Sequence, residues 1–163
     1  MGSWGNCDFR ELKKLQRQLE QLEKEKDTFC RECAKELAAR LLRKVVQRTP
    51  VGDYSGRAYQ CRVENGPALL HGGSSVKGLL GGTLRRNWTV GEVRKNGGSY
   101  EIEIINPTEY SSYVEYGHRT ADHRGWVPGH FMLTISEKEI QKIAPRLLEK
   151  KLEEKLREVL NDE

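Results

Sequence analysis

The stretch WTVGEVRKNGGSYEIEI, residues 88–104, alternates apolar and polar side chains on both sides of an Asn-Gly-Gly sequence. Successive side chains of a β-strand point to opposite faces, so this period of two predicts strands. The Asn-Gly pair at residues 96–97 is typical of a tight hairpin turn. We therefore predict an antiparallel hairpin over residues 83–106, with one face that carries Trp88, Val90, Glu92, Tyr100, Ile102 and Ile104.

Apolar residues recur at steps of three and four before and after this hairpin. They predict a helix over residues 8–48 that ends before Pro50, either as one long helix or as two with a break near residues 25–28. Residues 110–117 predict a short helix, and residues 131–161 predict a final helix that Pro145 kinks or divides. The predicted class is α+β: a long N-terminal helix, a small antiparallel β-sheet with a long Gly-rich loop, and a C-terminal helix.

Leucines near the start of the first helix have the spacing of a coiled coil, at Leu12, Leu15, Leu19 and Leu22. Two heptads are too few for a free-standing coiled coil. This stripe is expected to pack either on the protein's own sheet or on a neighbouring subunit.

Residues 51–82 hold eight of the sixteen glycines and predict a long flexible loop with a short hairpin around residues 59–63. A loop beyond about 15 residues in a compact domain is usually functional or disordered. Two strands do not make a stable sheet alone, so we expect the loop to add a strand or subunits to pair their strand edges.

The length of 163 residues predicts a single domain over residues 1–163, and 32% charged residues are typical of a soluble protein. No apolar run approaches the roughly 18 residues that span a bilayer, and the N-terminus lacks a secretion signal, so synthesis in the cytoplasm is expected. Residues 1–95 carry 19 basic and 11 acidic side chains, whereas residues 96–163 carry 9 and 13. This asymmetry suits head-to-tail packing of identical subunits, although solvated monomers also show it.

Two groups of potential metal ligands lack the spacing of a known site. Cys30 and Cys33 lie in a helical pattern with no second pair, which favours free thiols packed in a core or interface. His118, His123 and His130 match no zinc motif, so we interpret them as polar residues at a subunit interface and expect no cofactor. No nucleophile elbow or phosphate-binding loop is present in the sequence, and we expect no enzymatic activity.

Binding of nucleic acid is the alternative function. Arg85, Arg86 and Arg94 lie near Trp88 and Tyr100, and positive charge beside aromatic rings suits single-stranded nucleic acid. Both rings share the apolar phase of the hairpin, however, which favours burial. A net charge of +4 with an acidic second half is also weak for a general polyanion binder.

Several segments in order resemble the tail-component family of tailed bacteriophages, the neck or tail-completion proteins at the joint between head and tail. They are TPVGD at residues 49–53, Gly82 with Leu84, Arg85 and Arg86 at the opening of a strand, YVEYG at residues 113–117, and Pro128 with Phe131 before the final helix. Relative to the family, residues 54–81 are an insertion.

This resemblance implies a structural virion protein of a phage or prophage. Such a protein forms a ring, commonly of six copies, between the head connector or stopper protein and the tail terminator or tail tube protein. DNA passes through the channel, with non-specific contact at most. We expect the following residues to take part in assembly: Arg57, Arg62, Lys77, Arg85, Arg86, Tyr113, Glu115, Tyr116, His118 and Arg119.

Apolar residues flank the polar loop at residues 117–129 on both sides. We expect Tyr113 and Val114, together with Phe131 and Leu133, to join the final helix to the hairpin as buried side chains.

Overall fold

A computed structural model describes residues 9–52, 59–61, 69–71 and 81–161 of the protein. The elements are α1 (Arg10–Arg48), β1 (Tyr59–Cys61), β2 (Leu69–His71), α2 (Thr83–Arg86), β3 (Thr89–Val90), β4 (Arg94–Asn96), β5 (Ser99–Glu101), β6 (Ile104–Ile105), α3 (Ser111–Tyr116), β7 (Gly117–Arg119), β8 (Trp126–Pro128) and α4 (Met132–Asn161). This order confirms the α+β class. Most of the loop predicted at residues 51–82 lies outside the described residues, although β1 and β2 pair antiparallel within it.

The chain packs as two compact units. Unit one contains residues up to 40, residues 91–103 and residues from 138 onward, and unit two contains residues 41–90 and 104–137. The single-domain organisation stays a prediction. Neither long helix has the apolar stretch that crossing a bilayer would need, within the described residues.

Both terminal helices are continuous. Helix α1 runs through residues 25–28 without a break, so the one-helix alternative is confirmed. Helix α4 likewise continues through Pro145, and the division into two helices is wrong. A proline removes one backbone hydrogen bond, and Ile140 and Val159, which are buried on either side of it, anchor the helix despite that loss.

The hairpin of the central stretch forms with the predicted turn but contains an extra residue. Strand β3 pairs with β6 so that Val90 faces Ile104, and β4 pairs with β5 so that Arg94 faces Glu101. Three residues, 91–93, therefore oppose two, 102–103, which is a β-bulge. The bulge shifts the side-chain phase: Val93 is half-buried, whereas Glu92, which is in phase with Trp88 and Val90 in the sequence, is exposed.

No strand from the loop joins this hairpin, because every sheet among the described residues has two strands. In unit one helix α1 supports the hairpin instead. Arg31 Nη1 donates to the carbonyl oxygen of Val93 at 3.0 Å. Asp27 accepts from Lys95 Nζ at 2.9 Å and from the Tyr100 hydroxyl at 2.5 Å.

Helix α4 contacts α1 in the same unit through charged side chains. Lys155 Nζ lies 2.6 Å from Glu25 Oε2, and Lys151 forms an ion pair with Glu36. Cys33 is buried in this unit, and its burial raises the pKa of the thiol, so the neutral form predominates. The burial of Cys33 agrees with the interpretation of Cys30 and Cys33 as thiols packed in a core or interface.

Unit two has a core of four buried side chains, Val45, Leu84, Trp88 and Met132. Val114 and Leu133 pack against it, as the sequence indicated. Phe131, by contrast, is 42% exposed, and Tyr113 is exposed as well. The prediction that Phe131 is a core residue is wrong, because the neighbouring Met132 occupies that position with no exposed surface.

Two further segments of unit two differ from the sequence-based prediction. Residues 83–86, expected to open a strand, form helix α2, in which the amide of Arg86 donates to Gly82 O at 3.0 Å. This helical turn buries Leu84 and brings the side chain of Arg85 to the carbonyl oxygen of Thr49, directly after α1. The polar loop at residues 118–129 contains the antiparallel pair β7 and β8.

Thr49, the first residue after α1, connects three parts of unit two. Its hydroxyl donates to Val45 O at 2.7 Å and accepts from Trp88 Nε1 at 2.8 Å. Its carbonyl oxygen accepts from Arg85 Nε at 2.9 Å and from Arg85 Nη2 at 2.5 Å. Thr49 is fully buried, so the buried indole N–H of Trp88 has its acceptor only where the Thr49 hydroxyl is in place.

Replacing Thr49 by valine should lower the free energy of unfolding by about 1–3 kcal/mol, because it leaves the buried indole N–H of Trp88 without an acceptor. Thr49→Ser keeps the hydroxyl and is the matched control. Urea unfolding of both variants measures the difference. Equal stability of the valine and serine variants would contradict the role of this hydrogen bond.

The contact between Asp27 and the hairpin should make unit one sensitive to acid. The hydrogen bond from the Tyr100 hydroxyl has the largest effect, and together with the one from Lys95 it holds the pKa of Asp27 below its ordinary value. A carboxyl group whose pKa is lower in the folded protein stabilises the fold at pH values above its pKa in the unfolded chain, which is about 3.9. This stability is lost as the pH falls through the pKa of the folded protein. The same contact raises the pKa values of Tyr100 and Lys95, so it is also lost as the pH rises beyond about 10.

Urea unfolding at neutral pH and at about pH 3 tests this contact. Wild type should lose more stability on acidification than Asp27→Asn does. Glu23→Gln removes another carboxylate of α1 and should behave like wild type. An identical pH dependence of Asp27→Asn and wild type would show that the contact does not stabilise the fold.

Candidate assembly surface

Unit two exposes five large aromatic side chains within a short length of chain. We call them the aromatic surface: Tyr110, Tyr113, Tyr116, Trp126 and Phe131. Between 42% and 60% of each residue is exposed. Tyr110 and Tyr113 line a common cleft, and large apolar groups that are exposed together usually mark a binding surface.

Close backbone packing holds this region in one conformation. The amide of His130 donates to Val114 O at 2.8 Å, and the amide of Phe131 donates to Glu115 O at 3.0 Å. Gly117 has a φ of +86°, and an added Cβ there would lie 2.4 Å from the carbonyl oxygen of Val127. Only glycine fits at this position, so α3 can turn directly into β7.

Glu115 fixes the start of α4 from inside the fold. Its carboxylate accepts from the amides of Leu133 at 3.0 Å and Thr134 at 2.9 Å, and from the Thr134 hydroxyl at 2.8 Å. A negative charge is favourable where the first amides of a helix lack partners. Glu115 is only 5% exposed, so the structure places this predicted interface residue in the interior.

Two members of the aromatic surface, Tyr110 and Tyr113, line a cleft of about 670 Å³. Its walls are largely apolar and include Leu84, Tyr110, Tyr113, Val114, Val127 and Pro128. His118 and His130 add polar groups at its edge. The ring of Tyr113 meets that of His118 edge to face, with 5.8 Å between the centroids.

The structure brings together part of the predicted set. Tyr113, His118 and Arg119 line one small cleft together with Tyr110. Tyr116 is exposed on the same short helix as Tyr113.

The basic residues predicted to take part in assembly have different surroundings. Arg85 is engaged by Thr49, whereas Arg86 is exposed and donates to Gly81 O at 3.1 Å. Arg57, Arg62 and Lys77 lie outside the residues whose side chains are described.

The histidines do not form a metal site with other ligands in the described part of the chain. His123 has a φ of +58° and lies in the turn between β7 and β8. Its amide donates to Thr120 O at 2.9 Å. This histidine therefore belongs to a tight turn.

Trp126 and Tyr110 are exposed residues of this surface that the sequence reasoning did not include. Trp126 stands opposite Arg119 in the β7–β8 pair and is 57% exposed. The signal was present: a tryptophan between glycine, valine and proline in a polar segment has no apolar periodicity to bury it.

The residues on which the nucleic-acid alternative depends contact other groups of the protein. Trp88 is buried and donates to Thr49, so its ring is closed to a stacking base. In unit one, the hydroxyl of Tyr100 donates a hydrogen bond to Asp27, and Arg94 Nη1 lies 3.7 Å from Glu103 Oε1.

Comparison with known proteins places these features in a family. Residues 13–117 match the family model described as "Bacteriophage HK97-gp10, putative tail-component", which covers more than half of the chain. No curated protein and no solved structure gave a significant match. The matched range includes α1 from its fourth residue, the hairpin and α3, while β8 and α4 follow it. The chain therefore belongs to the HK97-gp10-like family of bacteriophage tail components.

Proposed function

We propose that this protein completes the phage neck: identical copies form a ring at the joint between head and tail, and DNA passes through it. Membership of a tail-component family supports a structural role in the virion. The observation that carries the proposal is the aromatic surface, which is exposed while backbone hydrogen bonds join α3 to residues 130 and 131 and β7 pairs with β8.

Such a surface suits a protein partner better than a small molecule. Tyrosine and tryptophan dominate the binding energy of protein interfaces, because each buries a large area at a small cost in side-chain entropy. The backbone here is already ordered, so binding would not require an ordering step. The cleft that Tyr110 and Tyr113 line offers a depression into which a partner's apolar side chain fits.

The proposed partners are the neighbouring rings of the neck. On the head side this is the connector or stopper protein, and on the tail side the terminator or tail tube protein. The resemblance suggests six copies. A channel for DNA needs only weak positive charge, since strong binding to the phosphates would impede passage, and a net charge of +4 is compatible with that.

A small nucleic-acid-binding module remains the alternative. The burial of Trp88 and the engagement of Arg85 by Thr49 weigh against it. Gel-shift measurements with single- and double-stranded DNA would separate the two functions. Salt-sensitive binding of DNA by a monomer would favour the alternative.

The double variant Tyr116→Ala/Trp126→Ala should fold normally, because both side chains are exposed, but should fail to join heads to tails. The matched control is Tyr116→Phe/Trp126→Phe, which keeps an aromatic ring at each position. Complementation of a phage that lacks the gene, followed by electron microscopy, should show separate heads and tails for the alanine variant only.

Circular dichroism of both purified variants checks their folding. Joined, infectious particles from the folded alanine variant would remove the aromatic surface from the joining step. Loss of joining in the phenylalanine control as well would point to a role for the tyrosine hydroxyl or the indole N–H.

A further inference from the structure

The first turns of α1 in unit one carry a concentration of positive charge. Arg10, Lys13, Lys14 and Arg17 are all exposed, and we call them the cationic stripe. Their spacing is that of residues i, i+3, i+4 and i+7, which lie along one face of an α-helix. With a rise of 1.5 Å per residue, the stripe is about 10 Å long. Glu11 is the one acidic side chain between residues 9 and 19.

The protein itself leaves most of this charge without a counterion. Elsewhere in unit one, Lys95 forms an ion pair with Asp27, Lys151 with Glu36 and Lys155 with Glu25. Three members of the stripe, the two lysines and Arg17, form no ion pair among the residues that the structure describes. Their charges are therefore available to an anionic partner.

The other side of the same helical segment is apolar. Leu12, Leu15 and Leu19 are between 43% and 61% exposed. At about 100° per residue, the mean direction of these leucines is roughly 180° away from that of the cationic stripe. The segment therefore has one side that suits contact with protein and one side that suits contact with phosphates.

The composition of the cationic stripe favours a nucleic acid over a protein as its partner. Protein interfaces are enriched in aromatic residues and depleted in lysine, whereas interfaces with DNA are much more positively charged. The aromatic surface of unit two has the first composition. The stripe has the second, with two lysines and two arginines at its four positions.

From these observations we infer that the cationic stripe contacts the phosphate backbone of the double-stranded DNA that passes through the neck. The inference rests on the proposed function, which supplies the DNA. Contacts to phosphates carry no sequence information, so they do not hold the DNA in one register. They release counterions, and the affinity therefore falls steeply as the salt concentration rises.

Three variants of the full chain test the contact. The stripe variant, Lys13→Gln/Lys14→Gln, removes two of the four cations. The charge-preserving variant, Lys13→Arg/Lys14→Arg, keeps them. The control, Lys138→Gln/Lys142→Gln, removes the same charge from two exposed lysines of α4 in the same unit.

Fluorescence anisotropy with a short DNA duplex, at salt concentrations from about 50 to 200 mM, measures the affinity and its dependence on salt. If all four cations contact phosphates, the slope of log K against log salt is about −3.6 per bound copy, and the stripe variant should have about half of it. The charge-preserving and control variants should keep the wild-type slope. Circular dichroism verifies folding, and sedimentation velocity gives the oligomeric state.

An unchanged slope in the stripe variant would overturn the inference, and so would an equal loss in the control, which would reflect net charge alone. Absence of DNA binding by wild type would also overturn it, and loss of head-to-tail joining in the stripe variant would then assign the stripe to an acidic protein. Wild type that binds DNA through the stripe as a monomer would keep the DNA contact and remove the proposed ring. An oligomer whose slope is the same with and without the two lysines would remove the contact and leave the ring in place.

Discussion

The buried end of α1 at Thr49 is the constraint on which unit two depends. A helix leaves its last carbonyl groups without intrahelical donors, and a buried helix end must find them elsewhere. Here the guanidinium of Arg85 supplies two donors to Thr49 O, and the Thr49 hydroxyl receives the indole of Trp88. This position therefore determines where α2 and Trp88, the residue before the hairpin, lie, and the core that contains Val45 and Trp88 forms beside it.

A negatively charged side chain, Glu115, fixes the start of α4, whereas the positively charged Arg85 binds the end of α1. Glu115 reaches the free amides of Leu133 and Thr134, as Arg85 reaches the carbonyl after α1. A cation at a helix C-terminus and an anion at an N-terminus are each favourable with respect to the helix dipole. Both side chains come from elements distant in sequence, so they stabilise tertiary structure rather than the helices alone.

These contacts explain how a small unit can leave several aromatic rings exposed. The backbone of residues 113–131 is held by hydrogen bonds to itself and by Glu115, so the rings are not needed for the core. Met132 and Val114 contribute to the interior in their place. A surface whose backbone is already hydrogen-bonded loses little conformational entropy when a partner binds.

Much of the architecture follows from local patterns. The period of two with Asn96-Gly97 predicted the hairpin and its turn, and apolar steps of three and four predicted both long helices, because these signals act over a few residues. The phase of the strand after residue 90 was not predictable, since a bulge adds one residue without a strong sequence signal. Pro145 was expected to disturb α4, yet packing on either side keeps the helix continuous.

The sequence by itself thus determined the two long helices, the central hairpin, the short helix α3 and the family, together with the exposed tyrosines at residues 113 and 116. Only the tertiary structure decided that Met132 is buried rather than its neighbour Phe131. It also decided that Glu115 and Arg85 point into the protein, whereas Trp126 is exposed. The reason is physical: burial of a side chain depends on distant partners that satisfy its polar groups or fill its volume, and a local pattern does not contain them.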